Sequence, residues 1–203
     1  MKLSYLLTLP GIVALSLSTC SLIEPPLLAA PVVEIAEATT AEDFYSEGNQ
    51  FYQNGRYGKA IESYDKALEI KPDYYSAWFD RGLALHQLEK YEEAILSFEQ
   101  AIEINPDNSY AWYNRGVALG KLEKYEEAIL SFEQAVEVKP DNSYAWHNRG
   151  NCLRKLEKYE EAILSYDKAL EIEPDDYKAW SNRGNALNNV GKYEEAIVSF
   201  DKA

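Results

Sequence analysis

The sequence predicts an all-α protein, a solenoid of five helical hairpins, on three observations. Landmark residues return every 34 positions, apolar residues within each period fall three and four apart, and a proline closes each period. The chain has 203 residues, of which 46% are apolar, 27% charged and 13% aromatic, and that is the make-up of a chain that folds.

Many residue types carry the period in one register. Pro72, Pro106, Pro140 and Pro174 share it, as do Trp78, Trp112, Trp146 and Trp180, with Phe44 in the same phase. Gly48, Gly82, Gly116, Gly150 and Gly184 keep the step, and so do Tyr57, Tyr91, Tyr125, Tyr159 and Tyr193. Alanines recur from Ala60 to Ala196 and from Ala67 to Ala203. The repeats are therefore 41–74, 75–108, 109–142, 143–176 and 177–203, the last stopping after most of its second helix.

Each repeat divides into two amphipathic runs. In the first repeat Phe44 and Gly48 belong to one run, Gly55 breaks it, and Tyr57, Ala60 and Ala67 mark the second. The second repeat shows the spacing in full. Trp78, Gly82 and Leu85 form one helical face, and Tyr91, Ala94, Ile95, Phe98, Ala101 and Ile102 form another. Leu88-Glu89-Lys90 makes a tight break between them. After the second run Pro106 stops the helix, and Asp107, Asn108 or Ser109 can cap the next one. Gly82 and Ala94 are small because two helices crossing closely leave no room there, while Trp78 and Phe98 fill the space towards neighbouring helices. The third, fourth and fifth repeats reuse the same unit, and the fifth ends on the face of Ala196, Ile197, Phe200 and Ala203.

This register resembles the tetratricopeptide repeat, whose pattern is matched by Trp112, Gly116, Leu119, Ala128, Phe132, Ala135 and Pro140. The resemblance covers residues 41–203. It implies a right-handed superhelix whose first helices line a concave groove for an extended peptide. Two departures stand out. Arg81, Arg115, Arg149 and Arg183 occupy a place where the family usually has leucine, so each should lay its stem along the interface between repeats and meet an acid. Glu89, Glu123 and Glu157 stand in the turn where glycine is common, while Gly55 and Gly191 keep it.

N-terminal to the repeats, Leu3 to Ile23 carry no formal charge, with Lys2 before them and Glu24-Pro25-Pro26 after. Segment 1–23 thus reads as a secretory signal or a retained anchor. Leu17-Ser18-Thr19-Cys20 resembles the lipobox of bacterial lipoproteins, which would make Cys20 a lipidation site, although Thr19 departs from the small residue usual there. Either way the repeats are expected outside the cytoplasm of a bacterium, secreted or membrane-tethered. Segment 24–40, rich in Pro, Ala, Val and Glu, reads as a flexible tether.

Composition narrows the function. A formal charge of −14 has the wrong sign for a phosphate-backbone binder, so nucleic acid is not an expected partner. Two cysteines and two histidines, Cys20, Cys152, His86 and His147, cannot form a zinc cluster or a disulfide framework. No nucleophile, base and orienting group come together in the pattern, so neither catalysis nor a cofactor is expected. Cys152 replaces Ala84, Ala118 and Ala186 and reads as a small buried filler, and the tryptophans read as a repeated core stripe. The pairs Glu92-Glu93, Glu126-Glu127, Glu160-Glu161 and Glu194-Glu195 read as solvated outer faces.

The repeats also differ from one another in a pattern. The second and third are identical at 24 of 34 places. Six differences recur at helical spacing along the first helix: Ser76/Tyr110, Phe79/Tyr113, Asp80/Asn114, Leu83/Val117, His86/Gly120 and Gln87/Lys121. Helical spacing puts them on one stripe. They are either a ligand surface or exposed places free to drift. Along the array the stripe starts apolar, with Tyr45, Tyr52, Phe79 and Leu83 beside Glu42 and Asp80. It then becomes amide-rich and basic, with Asn114, Asn148, Asn151, Asn182 and Asn185 beside Lys121, Arg154, Lys155 and Lys178. Tyr113 and His147 complete the candidate groove. By the resemblance, Asn148 and Asn151 would grip a peptide backbone, as free groove amides whose loss would scarcely affect folding. The lysine–arginine clamp for chaperone tails is incomplete, since Tyr45 replaces its first lysine although Asn49 is present.

The expected function is a scaffold that binds a protein segment in this groove. The alternatives are an assembly role through the solenoid ends or convex face, and the interaction portion of a longer enzyme or sensor. The uncapped fifth repeat leads to one more expectation, that the natural chain continues past Ala203 or associates end to end.

Overall fold

The computed structural model describes residues 40–203, and the statements below concern those residues. The expected signal or anchor segment, Cys20 and the tether as far as residue 39 lie outside them.

Ten helices and no strand form the described chain: α1 (Ala41–Gln53), α2 (Tyr57–Ile70), α3 (Tyr75–Gln87), α4 (Tyr91–Ile104), α5 (Ser109–Lys121), α6 (Tyr125–Val138), α7 (Ser143–Lys155), α8 (Tyr159–Ile172), α9 (Tyr177–Asn189) and α10 (Tyr193–Asp201). Each odd-numbered helix packs on the helix that follows it, and each even-numbered helix then packs on the next odd one. The odd helices also touch one another in succession, α1 with α3 through to α7 with α9, whereas no two even helices meet. A stack drawn closer along one side curves towards it, so α1, α3, α5, α7 and α9 line the concave side.

Local chemistry sets the boundaries. Thr40 belongs to the fold rather than to the tether: its Oγ1 accepts from the Asp43 N–H, and Asp43 Oδ2 accepts from the Thr40 N–H, a reciprocal cap on α1. Asn108, Asn142 and Asp176 cap α5, α7 and α9 through their side-chain oxygens. Within each hairpin the turn needs one left-handed residue. Gly55 and Gly191 supply it without strain in the first and last hairpins (φ +70° and +78°), and Glu89, Glu123 and Glu157 are forced into it at φ 59°, 60° and 59°.

The two helices of a hairpin are locked where a glycine meets an aromatic ring. A Cβ added to Gly82 would stand 2.5 Å from Phe98 Cε1, and at Gly116 it would stand 2.7 Å from Phe132 Cε1. Gly48 with Tyr64, Gly150 with Tyr166 and Gly184 with Phe200 repeat the arrangement. The rings of Tyr64, Phe98, Phe132 and Tyr166 are almost wholly buried, each burial stabilising the fold by roughly 1.5–3 kcal/mol. Phe200, though set against Gly184 in the same way, stays 42% exposed, and Ile197 and Val198 beside it are exposed as well.

The arginines join one hairpin to the next, as expected from the sequence, and meet a second partner as well. Arg115 Nη2 lies 2.7 Å from Glu99 Oε1 of the preceding hairpin, and its Nη1 donates to Ser131 Oγ of its own hairpin at 2.6 Å. Arg149 repeats this with Glu133 and Ser165, while Arg81 and Arg183 use Asp65 with Ser97 and Asp167 with Ser199. The serines are buried and pass their own hydrogen on to a carbonyl one turn back, such as Ser131 to Glu127 O. In the first repeat Glu47 stands where the arginine would be and accepts from Ser63.

The tryptophans differ from a buried core stripe. Each is half-buried and donates its indole N–H to the carbonyl of the proline six residues earlier, as Trp112 does to Pro106 O at 2.9 Å. Trp78, Trp146 and Trp180 do the same. They fasten the loop between hairpins, a duty Phe44 has no donor to perform.

Two outcomes test this account. Gly82→Ala gains about 1 kcal/mol of helix propensity but drives a methyl into a ring with nowhere to move, at about 1–3 kcal/mol. Urea unfolding should therefore show a net loss, whereas Gly58→Ala, with nothing within 4 Å of its Cβ, should gain. In the turn, Glu123→Gly exchanges a left-handed penalty of about 1–2 kcal/mol for a smaller entropic cost, so its melting temperature should rise.

Candidate functional site

The concave side is built on a ladder of rings. Tyr45, Phe79, Tyr113 and His147, at one repeated place on the odd helices, each lean on the buried ring of their own hairpin. The ring centroids lie 5.9 Å apart for Tyr45–Tyr64, Phe79–Phe98 and Tyr113–Phe132, and 5.8 Å for His147–Tyr166. These candidate groove residues therefore also hold the fold together, and only their outer edges face the concave side.

The asparagines are committed in the same way. Asn49 Oδ1 accepts from Tyr64 Oη at 2.8 Å, and Asn151 Oδ1 accepts from Tyr166 Oη at 2.9 Å and from Asn182 Nδ2 at 3.0 Å. Asn148 Nδ2 donates to Tyr113 Oη, and Asn114 Nδ2 to Tyr110 O. Only Asn185 is exposed among the candidate amides, and the others are half-buried. Reading Asn148 and Asn151 as free amides thus misses their internal partners. Losing Asn151 would take away the acceptor of the buried Tyr166 hydroxyl, at about 1–3 kcal/mol.

Charge divides the concave side in two. At the α1–α3 end Tyr45 Oη donates to Asp80 Oδ2 at 2.6 Å, and Tyr75 stacks on Phe79. Burial raises the Asp80 pKa, and the Tyr45 hydrogen bond offsets part of that rise. Glu42 is engaged by Lys71 at 3.2 Å. Towards the middle of the array Lys121, Arg154 and Lys155 gather between α5 and α7 around a pocket of about 230 Å³. Val117, Gly120, Tyr125, Phe132 and Cys152 form its apolar part, and Asn148 and Asn151 lie beside them. Burial pushes the Cys152 thiol up to about 11, so it stays neutral at physiological pH.

Beyond it His147 Nδ1 lies 2.9 Å from Asp176 Oδ2, the cap of α9, and Asn182 Nδ2 is 3.4 Å from His147 Nε2. Burial opposes ionisation of Asp176, but the N–H of Ala179, the His147 ring and the N–H of Lys178 outweigh it and hold the carboxyl below its ordinary value. A shallow cleft of about 630 Å³ opens here beside Tyr144, Tyr177 and Lys178.

The sequence reading named the rim of the pocket and Val117 on its stripe but missed the rest of the interior, Tyr125, Phe132 and Cys152. The signal was present in Gly120, the one place in that column of the repeats without a side chain. Among the described residues no cluster of His, Cys, Asp and Glu could hold a metal ion, and no helix is long and apolar enough to cross a membrane.

Comparison with known proteins accounts for the repeated architecture. The family model described as TPR repeat matches residues 48–89 and 82–123, and tetratricopeptide repeat models match 109–142, 143–176 and 165–198. The chain belongs to the tetratricopeptide repeat family. An uncharacterized protein of Methanocaldococcus jannaschii is 42% identical over 45 residues, which are 22% of this chain and 52% of that protein. The chain thus spans about half the length of this curated relative. Among solved structures, MamA aligns with a TM-score of 0.77 at 22% identity, over 80% of this chain and 88% of its own. MamA of Desulfovibrio magneticus RS-1 gives 0.75 at 21%, over 80% and 92%. YrrB, a TPR protein with an unusual peptide-binding site, gives 0.72 at 27%, over 80% and 84%. MamA shares the fold, and tetratricopeptide repeat membership carries a protein-interaction role.

Asp80 provides a pH test within this ladder, since the tetratricopeptide units that follow hold Asn114, Asn148 and Asn182 in its place. The folded-state pKa of Asp80 is raised, so the cost of its charge is present above that value and fades as pH falls towards the unfolded value of 3.8. Asp80→Asn keeps an acceptor for Tyr45. It should be more stable than the parent at pH 7, with the gap in urea midpoint closing as the buffer is acidified.

Proposed function

We propose that this protein is a non-catalytic scaffold that binds an extended segment of a partner protein along the concave side of α1, α3, α5, α7 and α9. One observation carries the reading: the joints are copied from hairpin to hairpin while the concave-side residues change. The glycine–ring contact, the arginine joint and the tryptophan pin recur with their partners kept. Phe79/Tyr113, Leu83/Val117, His86/Gly120 and Gln87/Lys121 vary on the concave helices. Drift at exposed places would spread change over every face, yet the exposed Glu92, Glu93 and Leu96 of α4 recur unchanged as Glu126, Glu127 and Leu130 of α6. The peptide-binding site of YrrB, on the same fold, supports the reading. So does the concentration of Lys121, Arg154 and Lys155 in a chain of net charge −14, which draws an acidic segment to the concave side.

A second reading, assembly through the convex face, has an observation of its own. Leu96, Leu130 and Leu164 recur at one place on α4, α6 and α8 and are 62%, 62% and 66% exposed, with Val198 continuing the row on α10. The paired glutamates of those helices are exposed on the same elements. The proposal also keeps the repeats outside the cytoplasm, on the strength of Lys2 and the uncharged run before Glu24. Intact mass of protein from its native cell tests this: loss of about 18–20 residues, or lipid on Cys20, is expected.

The groove is tested by selecting random displayed peptides on the full chain and measuring their affinity by fluorescence anisotropy. Lys121 and Lys155 are exposed, so Lys121→Glu with Lys155→Glu should leave the melting temperature nearly unchanged while weakening the selected peptides by about tenfold or more. Equal affinity for parent and variant would move binding to the convex face or the ends.

A further inference from the structure

The pocket between α5 and α7 exists because a side chain is missing from a place that other hairpins fill. At this place on the odd helices stand Tyr52, His86, Gly120, Arg154 and Asn188. In the first hairpin the Tyr52 ring meets Tyr57 edge-on at 5.3 Å, and in the second the His86 ring meets Tyr91 edge-on at 5.2 Å. The equivalent tyrosine of the third hairpin, Tyr125, has only Gly120 opposite it and lines the pocket instead. A Cβ built on Gly120 meets nothing nearer than Cys152 Sγ at 3.9 Å, so the space is open from the helix backbone outward.

The volume, about 230 Å³, falls below the roughly 300–1,000 Å³ of small-molecule sites and suits one large side chain. Its base is apolar and neutral, and its rim carries Lys121, Arg154 and Lys155 with no carboxylate among the lining residues. Arg154 Nε is buried beneath this rim without a hydrogen-bond partner among the described residues, while the guanidinium also acts on the Tyr166 hydroxyl.

We propose that this pocket takes an aromatic side chain of an acidic peptide segment, its ring resting edge-on against Tyr125 where Tyr52 and His86 serve their own hairpins. Carboxylates flanking that ring meet Lys121, Arg154 and Lys155. The proposal rests on the groove reading above and adds to it an anchor point and a ligand chemistry. Ring burial supplies affinity and the cations supply selection, since a basic segment would face three like charges at the rim.

The test uses a fluorescein-labelled peptide of one tryptophan flanked by glutamates, with two controls: alanine for the tryptophan, and lysines for the glutamates. Anisotropy with the full chain should give binding to the first peptide and at least tenfold weaker binding to each control. Gly120→His fills the space with the side chain of the second hairpin and should weaken the tryptophan peptide at least tenfold. Gly120→Ala leaves most of the space open and should bind within about threefold of the parent. Arg154→Gln with Lys155→Gln alters the rim without filling the pocket and should bring the glutamate and lysine peptides to similar affinity. Circular dichroism melts verify that each variant is folded.

If selected peptides depend on Lys121 and Lys155 but are indifferent to Gly120→His, the anchor proposal is overturned and the groove stands. If no peptide depends on Lys121 and Lys155, both readings fall. A tryptophan peptide that binds no better than its alanine control also overturns the anchor.

Discussion

Contact between a glycine and an aromatic ring fixes the distance between the two helices of each hairpin, and the rest of the structure is arranged around that distance. With the Gly116 backbone against Phe132, the buried ring presents its other side to the concave surface, where Tyr113 leans on it. Move the helices apart by one methyl and Tyr113 loses its support, Asn148 loses Tyr113 Oη, and the wall of the pocket shifts. Core packing and the candidate binding surface are therefore two sides of one layer of rings. Substitutions in the buried layer will reach the concave side without touching it directly.

Much of this was legible in the sequence because a repeat compares itself with itself. The 34-residue step, the two amphipathic runs and the proline stops give the helices, and an arginine in place of leucine demands an acid near it. The serine that completes the arginine joint was harder to see, because a serine at a core place resembles any small residue until its burial is known. The asparagines mislead for a related reason. Tyr64 and Tyr166 carry hydroxyls and face Asn49 and Asn151, whereas Phe98 and Phe132 carry none and their hairpins have Leu83 and Val117 in place of the asparagine. Reading down the odd helices alone hides that match, and reading both columns together exposes it. The pocket was missed because sequence inspection weighs the side chains present, and this feature comes from an absent one at Gly120.

Electrostatics and packing divide the molecule differently. The acidic excess lies where it is solvated, on paired glutamates exposed near the start of each even helix from α4 to α10, where the helix dipole favours it. Four arginines are committed to the joints, and Lys121, Arg154 and Lys155 gather in one part of the concave side. The concave side is thus basic between α5 and α7, while its α1–α3 end carries Asp80 and Glu42. At about 8 Å of screening length under physiological salt, an incoming segment on the concave side senses the nearby cations far more than the distant acids.

The arginine joint has a consequence for how such a chain changes over generations. Arg115 with Glu99 and Arg149 with Glu133 are chemically the same coupling, and the aspartate versions at Arg81 and Arg183 accept the same partner. Any of the second to fifth hairpins can therefore follow any other. Unequal recombination within the gene that adds or removes one 102-nucleotide unit would leave every remaining coupling satisfied, about 3 bases for each residue of the 34-residue period. Length is then a freely adjustable property of this protein, and the surface offered to a partner can be extended or shortened in whole hairpins while the rules of assembly stay untouched.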